Sequence, residues 1–445
     1  MTVTRLMPQV MPRRIVVIGA SGVLGGKVCQ ALTALNPGAE LVRGMRRPDG
    51  PDAVHVDVTD EASIARACAG ADVVVNVVAQ SRPLVQEVCA RLGIPSVDAV
   101  GGLGCGAVLD MARRQLPQSA APAVMLTGLF PGISALLSAH VVEGLSARVP
   151  GLEVTDIAVS LLQNTRPAAA GSMGMVDMLT AIATPVETQA GLRPAFSGKR
   201  SMMFGARSYP VRRLQYDERD VLRQRYPTAE VGYYTGWNNF AQTAGVAALV
   251  RMGLLPGILS KKSVMKLVDK AVLSPSPRKP TQPSPDQTHT AYVTTEVAFT
   301  GDWATGPGTA ARTSEASTGS GAVIGSEASV ADVAQTAGYP SRRPVVNLAR
   351  ATLEVADDYL ATAYVTAATV SCLLDRWNPS SASGGQFPDG QLPGGQSDHG
   401  QCPAGTAPPA ATSSALSGVL TPVDFMTVDD ALGLIPQEAG IRLLA

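Results

Sequence analysis

Apolar and polar positions alternate in blocks along the first 130 residues, and these blocks predict strands and helices in turn. Residues Ile15–Ile18 are four consecutive β-branched side chains, a pattern typical of a parallel strand that is buried on both faces. The next apolar residues recur at helical spacing: Leu24, Val28, Ala31, Leu32 and Leu35. Further apolar runs predict strands within residues 40–47, 53–58, 72–78, 94–100 and 124–132, with helices between them. This order indicates right-handed crossovers and a doubly wound parallel sheet.

The pattern changes from Leu152 onwards. Single apolar residues alternate with polar ones over 155–161 and again over 292–299, which predicts half-buried strands of an antiparallel or mixed sheet. We therefore expect an inserted α+β sheet domain. Apolar residues at helical spacing between about Val345 and Trp377 then predict a long helical region. Low-complexity stretches predict two long loops and a disordered linker, at 274–287, 304–329 and 378–417.

Three spaced glycines join the first predicted strand to the first predicted helix. Gly19 permits a sharp turn, Gly22 leaves the backbone open to a pyrophosphate, and Gly25 lets the helix lie close to the strand. The N-terminus of the helix then offers free N–H groups and the positive end of its dipole to a phosphate. These features predict a Rossmann-type dinucleotide site, and the alternative is a strand–turn–helix without a ligand.

The residues after the second predicted strand bear on the choice of dinucleotide. This position faces the adenosine ribose in folds of this kind, and an acidic residue there favours the non-phosphorylated cofactor. The chain has Arg43, Arg46 and Arg47 instead, while Glu40 lies at the other end of the strand. Because guanidinium groups suit a 2′-phosphate, we expect NADP, with a solvated basic loop as the alternative.

Composition narrows the class of partner. The 445 residues have a formal net charge of zero and only 16% are charged, which argues against nucleic acid or an anionic membrane as an obligate partner. The six cysteines show no metal-type spacing, so we expect no metal and a reduced, cytoplasmic protein. The uncharged run 115–142 mimics a membrane span, but Pro and Gly residues break it into shorter elements.

Two features are candidates for contact with a substrate. Asp98 falls at the carboxyl end of the fifth predicted strand, where ligands bind in such sheets, and it is the one weak candidate for a catalytic group. Its alternative role is to cap the glycine loop that follows. Tyr233, Trp237 and Asn238 lie in a cluster of aromatic and amide residues that would shape a substrate pocket, or else form a domain core or a dimer contact.

Several stretches of the chain resemble the saccharopine dehydrogenase-like oxidoreductases. They are Ile15–Gly26, Asp72–Val78 with Gln80 and Pro83, Cys89–Gly101 and Thr127–Gly132, and the run Gly418–Pro422 is also similar. The resemblance implies a nicotinamide cofactor, usually NADPH, and often a homodimer. It also implies three segments: a dinucleotide-binding domain (1–130), an inserted substrate or dimerisation domain (131–340) and a helical return to the first domain (341–377). Composition adds the low-complexity linker (378–417) and a C-terminal segment (418–445), whose regained apolar content predicts packing on the nucleotide domain.

The resemblance also implies roles for individual residues. The pyrophosphate would be held by Gly19, Ser21, Gly22, Val23, Leu24 and Gly25. The ribose phosphate would meet Arg43 and Arg46, and the adenine would lie beside Asp57 and Val58. The nicotinamide ribose would be lined by Val77, Val78 and Ala79. The nicotinamide side would be closed by Gly128, Leu129, Pro131 and Gly132.

Three functions compete at this point. The first is an NADPH-dependent reductase that transfers hydride to a C=N bond, in an imine, iminium or related small metabolite. The second is a reductase of enoyl or polyketide lipids at a membrane surface, supported by the apolar stretch Val246–Val272 with Lys261 and Lys262 within it. The third is a non-catalytic NADP-binding sensor module. Hydride transfer demands geometry more than reactive side chains, so the missing hydrolase or metal motifs do not count against an enzyme.

Overall fold

The computed structural model describes residues 13–99, 105–118, 121–163, 172–254, 291–301, 347–377 and 416–444. The predicted loops at 274–287 and 304–329, and the predicted linker up to residue 415, lie outside these ranges. Within them, no helix combines the length and the hydropathy needed to span a bilayer.

The first sheet has seven parallel strands and confirms the predicted doubly wound α/β fold. Its spatial order is β15-β6-β5-β4-β1-β2-β3. The strands are β1 Arg14–Ile18, β2 Glu40–Met45, β3 Ala53–His55, β4 Val73–Asn76, β5 Ser96–Asp98, β6 Ala123–Val124 and β15 Val419–Leu420. The helices between them are α1 Val23–Leu35, α2 Glu61–Cys68, α3 Leu84–Leu92 and α4 Cys105–Gln115, with α5 Ile133–Ser146 after β6.

Strand β1 lies inside this sheet and is covered on both faces. Ile15 and Val17 belong to the main core, whereas Val16 and Ile18 belong to a second core on the opposite face. All four side chains are buried, which explains why the strand is an unbroken run of β-branched residues.

The second sheet also has seven strands and is mixed. Its order is β10-β11-β12-β7-β13-β14-β16, and only β12 and β7 pair in parallel. The strands are β7 Glu153–Gln163, β10 Lys199–Phe204, β11 Arg207–Leu214, β12 Glu230–Trp237, β13 Ala291–Thr300, β14 Asn347–Val355 and β16 Ile441–Leu444. A separate hairpin is formed by β8 Val186–Thr188 and β9 Gly191–Arg193, and the helices are α6 Ser172–Ala183, α7 Glu218–Arg225 and α8 Phe240–Arg251.

The predicted helix from Val345 begins later than expected. Residues Asn347–Val355 form β14, which pairs along its whole length with β13, and the helix α9 covers only Asp358–Arg376. Helix α9 returns to the first sheet and packs against α1, where Lys27 Nζ lies 3.0 Å from Asp357 Oδ2. The pairing with β13 outweighs the local helical pattern because it satisfies a full ladder of backbone hydrogen bonds.

The C-terminal segment contributes to both sheets. Strand β15 pairs in parallel with β6 in the first sheet, and β16 pairs with β14 in the second. Helix α10, Val428–Leu434, lies between them and packs against α9 and α5. The segment therefore adds an edge strand to the first sheet and another to the second.

Candidate functional site

The glycine turn after β1 has the geometry expected of a dinucleotide site. Gly19 has a φ of +92°, and its N–H donates to Gly44 O at 2.8 Å. A Cβ at Gly25 would lie 2.1 Å from Gly19 O, so no larger residue permits this close packing of α1 on the turn. Two of the three glycines are therefore required by the fold itself.

Gly22 differs from its two neighbours because the fold does not require a glycine there. Its φ is −77°, and a Cβ would meet only Gly19 O at 3.4 Å, an ordinary contact. Gly22 is the N-cap of α1, and no side chain caps the helix at this point. Ser21, Gly22 and Val23 are all exposed. Gly22 N donates to Gly19 O at 3.0 Å, so the N–H groups of residues 23 and 24 are the ones at this end of α1 that would donate to a phosphate.

The turn after β4 lies directly against the glycine turn. A Cβ at Gly19 would lie 2.5 Å from Val78 Cγ2 and 3.0 Å from Val77 Cγ2. Asn76 fixes the shape of this turn, since its Nδ2 donates to Val78 O at 2.9 Å and its Oδ1 accepts from Val78 N at 3.2 Å. The residues predicted to line the nicotinamide ribose, Val77 to Ala79, are thus held beside the predicted pyrophosphate loop.

Asp98 is buried within a group of side-chain amides. Its Oδ2 accepts from Asn76 Nδ2 at 2.9 Å, Gln80 Nε2 at 3.1 Å and Gln86 Nε2 at 2.6 Å. The carboxylate is 3% exposed and anchors the turn after β4 through Asn76. These hydrogen bonds give Asp98 a structural role as an anchor for the turn. A catalytic role for Asp98 stays a prediction. Among the described residues, no cluster of His, Cys, Asp or Glu is placed to hold a metal ion.

The arginines predicted to meet a ribose phosphate differ in their partners. Arg43 is bidentate to Asp52, with both N–O distances at 2.9 Å, and Asp49 Oδ1 lies 2.9 Å from the same guanidinium. These hydrogen bonds hold the pKa of the Asp52 carboxyl below its ordinary value. Arg46 directly follows β2 and is exposed. Two carboxylates thus offset the charge of Arg43, while Arg46 faces solvent.

The residues predicted to border the adenine follow β3. The Asp57 carboxylate accepts from Thr59 N at 2.9 Å and Thr59 Oγ1 at 2.7 Å, which closes a local turn. The two hydrogen bonds from Thr59 are the main reason why the pKa of Asp57 is lowered. Val58 is half-buried and packs against the second core of the first sheet. The hydrogen bonds from Thr59 and the packing of Val58 therefore set the shape of this turn.

The turn after β6 is held by side chains from another part of the chain. Leu129 N donates to Thr362 Oγ1 at 3.3 Å, and Thr366 Oγ1 donates to Thr127 O at 2.5 Å, both from α9. The turn contains a cis peptide bond between Phe130 and Pro131. The predicted closing residues Gly128, Leu129, Pro131 and Gly132 therefore form a fixed wall at the carboxyl edge of the sheet.

The second sheet reaches this wall through α7 and β12. Glu218, at the start of α7, is 1% exposed and accepts from Gly132 N at 2.5 Å and from Tyr233 Oη at 2.8 Å. Burial raises the pKa of the Glu218 carboxyl above its ordinary value. Sequence reasoning missed Glu218 because a charged helix such as α7 is typical of a solvated surface.

The three predicted substrate residues are not brought together. Tyr233 is buried and its ring lies 5.4 Å from that of Phe130, next to the predicted nicotinamide wall. Trp237 packs into a separate cluster with Leu179, Ile182 and Phe196. Asn238 is exposed. The aromatic side chains thus occupy the core, and contact of any of the three residues with a substrate stays a prediction.

Comparison with known proteins bears on the fold and on the cofactor. Residues 15–88 match the model of the NAD dependent epimerase/dehydratase family. Apo histidine-tagged saccharopine dehydrogenase (L-Glu forming) from Saccharomyces cerevisiae has a similar structure, with 12% identity and a TM-score of 0.55, over 97% of this chain and 100% of that one. Uronate dehydrogenase from Agrobacterium tumefaciens is 23% identical over 20% of this chain and 41% of its own, with a TM-score of 0.17. No curated protein matches the sequence.

These findings define the class of fold. The chain combines a parallel dinucleotide-type sheet with a mixed second sheet, and the similarity to the yeast saccharopine dehydrogenase extends over nearly its whole length. The predicted resemblance to saccharopine dehydrogenase-like proteins is confirmed for the fold.

Proposed function

We propose that the protein is an NADPH-dependent oxidoreductase that transfers hydride to a C=N bond of a small metabolite. The observation that carries this proposal is Gly22, a glycine that the fold does not need and that stands at the exposed N-terminus of α1. A glycine at this point leaves the space into which a pyrophosphate fits. The match of residues 15–88 to an NAD dependent family supports the same cofactor class.

Each part of the proposed site has a separate task. The N–H groups of residues 23 and 24 would hold the pyrophosphate at the positive end of α1, while Gly22 N donates to Gly19 O within the turn. The turn that Asn76 fixes would orient the nicotinamide ribose, and the wall Gly128–Gly132 would exclude water from the nicotinamide side. When bound, the nicotinamide group supplies the hydride. The protein's own contribution is therefore binding and orientation, which suits a site beside which the Asp98 carboxylate is engaged by amides and the Glu218 carboxylate by Gly132 N.

The preference for NADPH rests on Arg43 and Arg46. Arg46 would bind the 2′-phosphate directly, because it is exposed and lies beside the adenine-side residue Asp57. Arg43 would do so only by sharing its guanidinium with Asp49 and Asp52. We further propose the predicted division of labour, with cofactor on 1–130 and substrate or dimer contacts on 131–340, in a cytoplasmic homodimer.

The nature of the substrate follows from the chemistry available. A protonated C=N bond is electrophilic without a strong general acid, so the proposed site needs no further catalytic group. The similar yeast structure is named as an L-Glu-forming enzyme, and L-Glu is an amine, which supports nitrogen at the reacting carbon. The test is NADPH oxidation with imines, ketones and enoyl thioesters. We expect turnover with imines, while turnover with ketones or enoyl thioesters alone would overturn the substrate assignment. NADPH binding without turnover of any compound would favour a sensor.

One observation favours the second candidate, a reductase of enoyl or polyketide lipids at a membrane surface. Helix α8 is apolar for most of its length, yet Phe240 is 64% exposed and Met252, just after the helix, is 61% exposed. Sedimentation with vesicles of neutral and anionic lipid tests this candidate. Binding that is lost in Phe240→Ser/Met252→Ser but retained in Leu192→Ser would support it, because Leu192 is 69% exposed on a different element, β9. Absence of binding would exclude a membrane-surface role.

A further inference from the structure

Three consecutive residues before and at the start of α7 contact the segments that follow β5 and β6 at the carboxyl edge of the first sheet. Tyr216 Oη donates to Phe130 O at 2.6 Å, Asp217 Oδ2 accepts from Gly106 N at 2.9 Å, and Glu218 Oε1 accepts from Gly132 N at 2.5 Å. We call Tyr216–Glu218 the docking segment. It contacts the N-termini of α4 and α5, which follow β5 and β6.

Glu218 is the buried centre of these contacts. Its Oε2 accepts from Ser134 Oγ at 2.5 Å and from Tyr233 Oη at 2.8 Å, in addition to the bond from Gly132 N to Oε1. The carboxyl lies at the N-terminus of α5, where the helix dipole favours negative charge. Burial of a carboxyl is costly unless its oxygens are hydrogen-bonded, and here both oxygens are. The fold therefore keeps a charged residue in its core for these contacts.

The turn before α5 is unable to provide its own cap. Gly132 is the N-cap of α5 with a φ of +127°, and a Cβ there would lie 2.3 Å from Gly128 O. No residue with a capping side chain therefore fits at this position, although helices usually begin with one. The cap has to come from elsewhere, and Glu218 supplies it from the start of α7. The position of the Gly128–Gly132 wall thus depends on a side chain that lies 86 residues further along the chain than Gly132.

We propose that Glu218 is a positioning residue that sets the Gly128–Gly132 wall against the nicotinamide end of the cofactor. The proposal rests on the proposed function, because the wall closes the nicotinamide side only if a nicotinamide dinucleotide binds there. The adenosine end of the site is formed by residues 43–58, which the docking segment does not touch in the described structure. Loss of Glu218 should therefore affect one end of the dinucleotide and spare the other.

The test compares a whole dinucleotide with its adenosine half. Calorimetric titration of Glu218→Ala with NADPH and with adenosine 2′,5′-bisphosphate, alongside NADH and ADP, separates the two ends whichever coenzyme is preferred. We expect the Kd for the dinucleotide to rise about tenfold, while the Kd for the half-molecule stays within about twofold of wild type. Glu218→Gln should rescue dinucleotide binding, because its amide oxygen accepts from Gly132 N and its NH₂ donates to the two hydroxyls.

The matched control is Glu143→Ala. Glu143 also joins α5 to α7, through Arg225 at 2.9 Å, but it is about half exposed and lies at the other end of α5. This variant should change neither Kd. If Glu218→Ala does not fold, Tyr216→Phe removes only the hydroxyl that holds Phe130 O, and we expect a threefold to fivefold loss of dinucleotide affinity with the half-molecule again spared.

The outcomes separate the two claims. Equal losses for the dinucleotide and its half, or wild-type affinity for both in Glu218→Ala, would overturn the positioning role and leave the proposed cofactor intact. A wild-type protein that binds neither dinucleotide would overturn the proposed function, and with it the role of Glu218.

Discussion

Substitution of Gly22 by Ala separates the needs of the fold from the needs of a bound dinucleotide. At Gly19 and Gly25 a Cβ would collide with neighbouring atoms at 2.5 and 2.1 Å, so their replacement would disturb the fold as well as the site. At Gly22 the new methyl group would lie 3.4 Å from Gly19 O and would otherwise point into open space. The variant therefore changes only the surface that a pyrophosphate would approach.

The expected magnitude follows from the hydrogen bonds at stake. The methyl group would hold a phosphate oxygen away from an N–H group at the start of α1 and cost one charge-assisted hydrogen bond, about 1.5–3 kcal/mol. This loss corresponds to a Kd about 10- to 150-fold higher. The free energy of unfolding should change by no more than about 1 kcal/mol, because φ at Gly22 is −77° and suits alanine.

The assay is calorimetric titration with NADPH and NADH, paired with denaturant unfolding of each variant. The matched control is Gly26→Ala, four residues on, where a Cβ would have nothing within 4 Å. Gly26→Ala should bind like wild type and be more stable by about 0.5–1 kcal/mol. The reasoning fails if Gly22→Ala binds as tightly as wild type, or if Gly26→Ala loses the same affinity.

Three further predictions address other parts of the site. Arg46→Glu should lower the affinity for NADPH about tenfold or more and the affinity for NADH only slightly. The control Arg66→Glu, on α2, should change neither affinity. If titration of Arg46→Glu shows equal losses of affinity for the two coenzymes, the result would count against a phosphate-binding role. Asn76→Leu should lower the free energy of unfolding by about 2–4 kcal/mol, since it leaves Val78 N and O unpaired; a urea midpoint equal to wild type would contradict this. The raised pKa of Glu218 means that protonation favours the folded state, so its contribution is full below the ordinary value of 4.5 and is lost as pH rises through the folded pKa. The stability of wild type relative to Glu218→Gln should therefore fall as pH rises from 4.5, and a constant difference would refute the assignment.

The first sheet could be predicted from sequence because its signals are local. The run Ile15–Ile18 is buried on both faces, and the glycine turn follows it at once. Gly93 ends α3 in the left-handed conformation, which glycine adopts readily at a helix end. Each of these features depends on residues that are close together in the chain, so a single stretch of sequence is enough to reveal it.

The features that sequence reasoning missed depend on distant partners. Strand β14 was predicted as helix because its pairing partner, β13, lies about fifty residues earlier in the chain. Arg43 was predicted to meet a ribose phosphate, and its ion pair with Asp52 was not foreseen, because the parallel pairing of β2 with β3 is what brings Asp52 beside it. The sequence did contain a sign of this ion pair, since Asp52 directly precedes the third predicted strand.

The contacts of the docking segment also depend on residues that are distant in the sequence, and no local pattern predicts them. Glu218 lies among Asp217, Arg219 and Asp220, a charged run that is typical of a solvated helix end. Glu218 is buried because α7 packs against α5. A carboxylate is needed there because the N-cap of α5, Gly132, has no side chain to cap the helix. Tyr233 was noticed as an aromatic residue, but its hydroxyl bonds Glu218, a contact that no local pattern reveals.

The central claim is that residues 19–25 hold the pyrophosphate of a nicotinamide dinucleotide. A crystal structure of the protein grown with saturating NADPH tests it most directly. We expect density for the pyrophosphate at the N–H groups of residues 23 and 24, with the nicotinamide ring between Val78 and the Gly128–Gly132 wall. Density for the dinucleotide elsewhere, or an empty glycine turn at saturating concentration, would contradict it.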